Sequence, residues 1–151
     1  MDEITLKEIL SDHADWMLDH ATGCHADLTH ADLRGADLRD ADLFGADLRC
    51  ADLRYADLRR ANLRRANLRH ADLCCTNLGY ANLCDADLTD ADLRRADLRR
   101  SNLHCADLRS ASLSYAVLCG ANLNGAKISY RDGEVVVRFE PIRESQAEEM
   151  K

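Results

Sequence analysis

From Ala26 to Tyr130 the chain runs in blocks of five residues without a slip, 105 residues in 21 blocks. Few folds accept a period of five. The first position is Ala except at Thr76 and Ser101, and the third is Leu in every block until Ile128. The second is Asp twelve times and Asn six times, with Ser112, Val117 and Lys127 as departures. An earlier block, Ala21 to His25, keeps the Ala but has Gly23 in the Leu position. Ala and Leu supply most of the 46% apolar content, aromatics only 5%, and a single Pro interrupts the chain. A mixed core of varied side chains is excluded by that monotony.

Ala, Leu and Arg favour helix by propensity, but the period does not. Five residues advance a helix by about 500°, so successive leucines step round its axis by roughly 140° and never form a stripe. In extended chain, Ala and Leu two residues apart point the same way and the Asp between them points opposite. Because five is odd, a straight strand would flip the next pair to the wrong side. The chain must therefore turn at the fourth and fifth residues of each block and wind into a coil. Coils then stack at the strand spacing of about 4.8 Å. Each buried Leu contributes about 1.5–3 kcal/mol, cumulatively along the rod.

The Ala-Asp/Asn-Leu-x-x blocks, which cover about two-thirds of the chain, resemble the pentapeptide-repeat family. The resemblance implies an all-β solenoid, a right-handed quadrilateral β-helix with four blocks per coil. Five coils make a rod roughly 25 Å long. The expected organisation is an N-terminal helical cap over 1–25, the β-helix over 26–130, and a C-terminal strand cap with a polar tail over 131–151.

A stacked coil needs its ends covered. Thr5-Leu6-Lys7-Glu8 reads as a capping box opening a helix, with Leu6, Ile9, Leu10, His13 and Met17 on one face and Trp16 at its margin. We expect this helix to lie across the first coil. After the repeats, Arg131-Asp132-Gly133-Glu134 signals a turn into the strand Val135-Val136-Val137-Arg138-Phe139. That strand is expected to cap the rod or to form a homodimer seam.

The net charge is −7, yet 15 Asp balance 14 Arg and Lys127 between Ala26 and Tyr130. The excess lies outside the repeats, −5 in residues 1–25 and −2 in residues 131–151. The family resemblance brings one specific function with it, modulation of a type II topoisomerase, DNA gyrase, by mimicry of B-form DNA. A duplex of this length would display about 15 uncompensated negative charges. Assigning every fourth block to one side gives −1, 0, +1 and 0, which disfavours that alternative. The first reading is a non-enzymatic, protein-binding rod presenting a patterned Asp/Arg surface. A third is anion or nucleic-acid recognition through clustered arginines. With four blocks per coil, Arg60, Tyr80 and Arg100 stack in one column, placing Tyr80 between two guanidinium groups at cation–π range. Arg59 and Arg99 flank Gly79 and leave a shallow basic dent. Arg59, Arg60, Tyr80, Arg99 and Arg100 are the candidate partner-binding residues.

Cys50, Cys74, Cys75, Cys84, Cys105 and Cys119 occupy fourth or fifth positions and should face outward. No CxxC or HExxH spacing occurs, so no metal site is expected. The coil register does stack His30, Cys50, His70 and Asp90, and His104 above Cys84. A rod filled with Leu offers no dry pocket for a nucleophile and base, and no phosphate-cradling glycine loop is present, so neither catalysis nor a cofactor is expected. Seven Cys without a secretion signal fit a reducing cytoplasm. No apolar run reaches membrane-spanning length.

Overall fold

A computed structural model describes residues 3–19 and 25–129. The chain opens with helix α1, Glu3–Leu18, and then winds as a four-sided coil. Second-position residues pair in parallel across a separation of twenty, Asp27 with Asp47, Asp32 with Asp52, Asp37 with Asp57, and so on to Asn102 with Asn122. Twenty residues are four blocks, so one coil has four sides. We number them 1 to 4 from the block at Ala26. Most sides pair through a single residue. Among the described residues only β1, Asp107–Arg109, and β2, Lys127–Ser129, reach strand length, as a parallel pair. Regular strand is scarce because a corner follows every two or three extended residues.

The corner has a backbone signature. The amide of each first-position residue donates to the carbonyl of the preceding Leu, as from Ala31 to Leu28 at 3.1 Å. The fifth-position residue has positive φ in every block from His30 to Gly125, sixteen times in a residue other than glycine. This is the third residue of a type II turn, where φ must be positive. Such a conformation costs a side-chain-bearing residue roughly 1–2 kcal/mol.

Those costs are offset in a regular block by use of every backbone donor. In the block at Ala51, Ala51 N–H closes the turn on Leu48. Asp52 N–H donates down to Ala31 at 2.9 Å, Leu53 N–H up to Asp72 at 2.8 Å, and Tyr55 N–H up to Cys74 at 3.2 Å. The fifth donor, Arg54 N–H, finds the Asp52 side-chain Oδ1 at 3.2 Å. An Asx turn of this kind recurs with Asp or Asn alike, from Thr29 on Asp27 to Asn124 on Asn122. The second position is therefore selected for an oxygen two residues before a turn amide, a property that Asp and Asn share.

Inside, Leu43 to Leu103 are almost wholly inaccessible and form one buried cluster with the alanines. Thr76 and Ser101, which replace Ala, are just as buried. Their hydroxyls donate to the carbonyls of Leu53 and Leu98 at 2.8 and 2.7 Å, so neither leaves a polar group unsatisfied.

Leu6, Ile9 and Leu10 of α1 pack against the first coil, and His13 on the same face is fully buried. The helix begins at Glu3, so Thr5 lies within it rather than at its N-cap. His13 Nδ1 accepts from the amide of Ala26, the residue that opens the coil, at 3.1 Å. The ring stacks on Trp16 at 5.5 Å, and both rings meet His25 edge-on. The expected return strand and homodimer seam in 131–151 lie outside the described residues.

Candidate functional site

Stacking places like charges about 4.8 Å apart along each column of second-position carboxylates, and the molecule relieves this in two ways. On sides 1 to 3, Arg at the fourth position folds back on the Asp two residues earlier. Arg34, Arg39, Arg54, Arg59, Arg94, Arg99 and Arg109 each grip their Asp with Nε and a terminal nitrogen, at 2.5–2.9 Å. The Arg39 guanidinium pulls the Asp37 carboxyl down to about 2, and Arg34 holds Asp32 well below the carboxylate range. Side 4 uses amides instead. Asn62 donates to Asp42 at 2.9 Å, Asn102 to Asn82 at 3.2 Å and Asn122 to Asn102 at 3.1 Å, a ladder along the rod. The surface therefore offers ion pairs and amides, not the bare negative charge of a duplex.

The predicted column assembles as Asp40, Arg60, Tyr80, Arg100 and Gly120, one residue per coil at the corner between sides 3 and 4. Arg100 meets the expectation. Its guanidinium carbon lies 5.6 Å from the Tyr80 ring centroid, and Nη1 donates to the Tyr80 hydroxyl at 2.9 Å. Arg60 does not cap the other face of the ring. It turns to Asp40 one coil earlier and binds both carboxylate oxygens at 2.6 Å, because a bidentate charge pair outweighs a cation–π contact at an exposed site. Arg59 and Arg99 are likewise engaged, with Asp57 and Asp97. The dent at Gly79 is present but less basic than expected. A Cβ there would meet Asn77 Oδ1 at 3.3 Å, with the Arg99 carbonyl and Arg59 Cγ just beyond. The depression is lined by both arginines, Tyr80, Arg100 and Cys119. Among the described residues Arg100 has no carboxylate partner, so it carries the free positive charge there.

A broader arrangement emerges from the same register. Tyr55 and Tyr115 share the corner between sides 2 and 3, two and five coils along, while Tyr80 sits on the opposite corner of side 3. They are 69%, 71% and 58% exposed. Val117, 42% exposed, lies on side 3 itself, after Asp37, Asp57, Asn77 and Asp97. Tyr55 and Tyr115 were legible as fifth-position residues and Val117 as a second-position one, but only a fixed side assignment brings them together.

The histidine and cysteine columns stack in register without converging, and no group of three or more His, Cys, Asp or Glu gathers among the described residues. His104 turns to Cys105 at 3.4 Å, and Cys84 to Asp85 at 3.5 Å, rather than to each other. No helix among the described residues is long and apolar enough to cross a membrane.

The model of the family of pentapeptide repeats matches in eight copies, over residues 25–60, 41–78, 66–104 and 101–130. Among solved structures, a pentapeptide repeat protein from the Arabidopsis thaliana thylakoid lumen is 32% identical, with a TM-score of 0.54 over 67% of this chain and 69% of that one. HetL from the cyanobacterium Nostoc sp. strain PCC 7120, involved in heterocyst differentiation regulation, is 34% identical with a TM-score of 0.48. That match covers 68% of this chain and spans 60% of HetL. No curated protein sequence matches the chain.

Proposed function

The chain belongs to the pentapeptide-repeat family, and from that premise we propose that it is a rod that docks a protein partner on side 3, between the Tyr55–Tyr115 corner and the Tyr80–Arg100 corner. The reading is non-catalytic, in keeping with an interior filled by leucine and alanine. One observation carries the reading. Of the six large hydrophobic side chains exposed among the described residues, four, Tyr55, Tyr80, Tyr115 and Val117, lie on or border this one side, while Leu18 and Ile128 lie elsewhere. Tyrosine and arginine supply much of the energy of protein interfaces, and the backbone beneath them is fixed by coil-to-coil bonds, so little ordering cost attends binding. Arg100 adds a cation for a partner carboxylate, and Arg59, Arg60 and Arg99 add polar rim. A reducing cytoplasm suits the reading, since Cys74, Cys75 and Cys119 on or beside this surface are free thiols.

The test is capture from a lysate of the native host by the wild-type rod and by two triple variants. Tyr55→Ser, Tyr80→Ser and Tyr115→Ser together are expected to lose the captured protein. Arg49→Ala, Arg69→Ala and Arg109→Ala, on side 1, are expected to retain it. Equal capture by both variants overturns the assignment of side 3. Inhibition of DNA gyrase supercoiling that survives the tyrosine changes, or salt-sensitive DNA retention lost on changing Arg59, Arg60, Arg99 and Arg100 to Ala, would replace it with the topoisomerase or nucleic-acid reading.

A further inference from the structure

Cys74 and Cys75 are the two central residues of the turn that Thr76 N–H closes on the Leu73 carbonyl at 3.1 Å. Their side chains rise from the same corner, half-buried, with Sγ atoms 3.6 Å apart. The backbone holds them there. Cys74 N–H is tied to Asp72 Oδ1 at 3.0 Å, Cys75 N–H to the Arg94 carbonyl at 2.9 Å, and Cys75 takes φ 60°. Two thiols are thus presented as a preformed pair rather than as neighbours on a flexible chain.

The separation says what the pair can grip. With a metal–sulfur bond of about 2.3 Å, two thiolates on a tetrahedral centre lie about 3.8 Å apart, and on a linear centre about 4.6 Å. The observed spacing suits a bent S–M–S angle and excludes a linear one without rearrangement. No third His, Cys, Asp or Glu gathers at the pair among the described residues, so the centre must be satisfied by two sulfurs and its own substituent. We propose that Cys74 and Cys75 form a dithiol site for a soft, pyramidal trivalent centre of the arsenical class.

The exchange is balanced without an oxidant. With phenylarsine oxide both S–H bonds break and two As–S bonds form. The arsenic-bound oxygen leaves as water with the two thiol protons, and arsenic stays trivalent. Burial and the neighbouring thiol push Cys74 above the usual thiol range, which keeps that thiol protonated and slow toward peroxide. That environment favours capture by exchange over oxidation.

The experiment adds phenylarsine oxide to the folded full-length chain and reads intact mass under native conditions. One equivalent should bind, and a small dithiol should remove it while a monothiol at equal thiol concentration does not. Cys74→Ser and Cys75→Gly should each weaken uptake at least tenfold, with circular dichroism confirming the rod. Glycine at 75 relaxes the left-handed backbone, so that variant remains informative if the first fails to fold. Undiminished uptake in Cys75→Gly, equal removal by the monothiol, or no adduct on the wild type each overturns the site.

Discussion

At Val117 the Asx turn that recurs through the repeats has no side-chain oxygen to form it, so the amide of Cys119 lacks the acceptor that Asp97 gives Arg99 one coil earlier. Val117→Asn restores that acceptor and removes an exposed apolar side chain. It should raise unfolding free energy by about 0.5–1.5 kcal/mol, measured as a higher denaturant midpoint at unchanged slope. Val117→Leu should show no gain. The same residue position illustrates how far the letters could be read. The twelve Asp and six Asn at the second position could be counted, but net-charge arithmetic treats only the Asp. What Asp and Asn share is geometry toward an amide two residues on, visible once the turn is located. Arg60 was less legible. Its column partner Asp40 lies in a block whose second-position Asp37 is already taken by Arg39, and only the observed rotamer shows that the fifth-position carboxylate wins over the Tyr80 ring.

Helix α1 is held to the coil through His13, and this makes the cap sensitive to acid. The groups facing the ring are Trp16 and His25, with the Asp42 carboxylate and the Phe44 backbone acting more weakly in the opposite sense. Burial first, then the His25 charge, lowers the His13 affinity for a proton. The unfolded chain therefore binds protons more readily than the folded one, so stability is full above the unfolded value of about 6.5 and declines as pH falls below it. A proton on Nδ1 also ends its role as acceptor for Ala26. Amide protection in Glu3–Leu18, taken relative to the intrinsic exchange rate at each pH, should fall between pH 7 and pH 5 while residues 46–110 stay protected. His13→Gln, which cannot titrate, should flatten that dependence. An unchanged pH profile in the variant would place the sensitivity elsewhere. The helix and its inward face were readable from the spacing of Leu6, Ile9, Leu10 and His13, whereas its first residue was not, because Thr5 imitates a capping box inside a helix that has already begun.

Across the whole rod, leucines central to the stack and leucines near its C-terminal end differ in what surrounds them. Leu68 has coils on both sides and no exposure, while Leu123 is half-buried. Leu68→Ala should cost about 2–5 kcal/mol, because rigid coils cannot collapse into the space it leaves. Leu123→Ala should cost markedly less, and comparison of the two thermal melts checks the difference. That the chain winds into a coil with Leu inside was legible from the odd period, and the family resemblance supplied the four blocks per coil. The tyrosine-framed side was not, since residues 55, 80 and 115 are far apart in sequence and meet only after each block is assigned to a side.

The separation of twenty between paired residues also sets a rule for how such a chain tolerates change in length. Excising one complete storey shortens the rod yet returns every later side chain to its former compass bearing. Excising a single block swings everything downstream through a quarter turn, so that the tyrosine at 80 would look toward a different neighbour although every leucine remained dry. Growth by whole storeys preserves an address on the surface, and growth by blocks rewrites it.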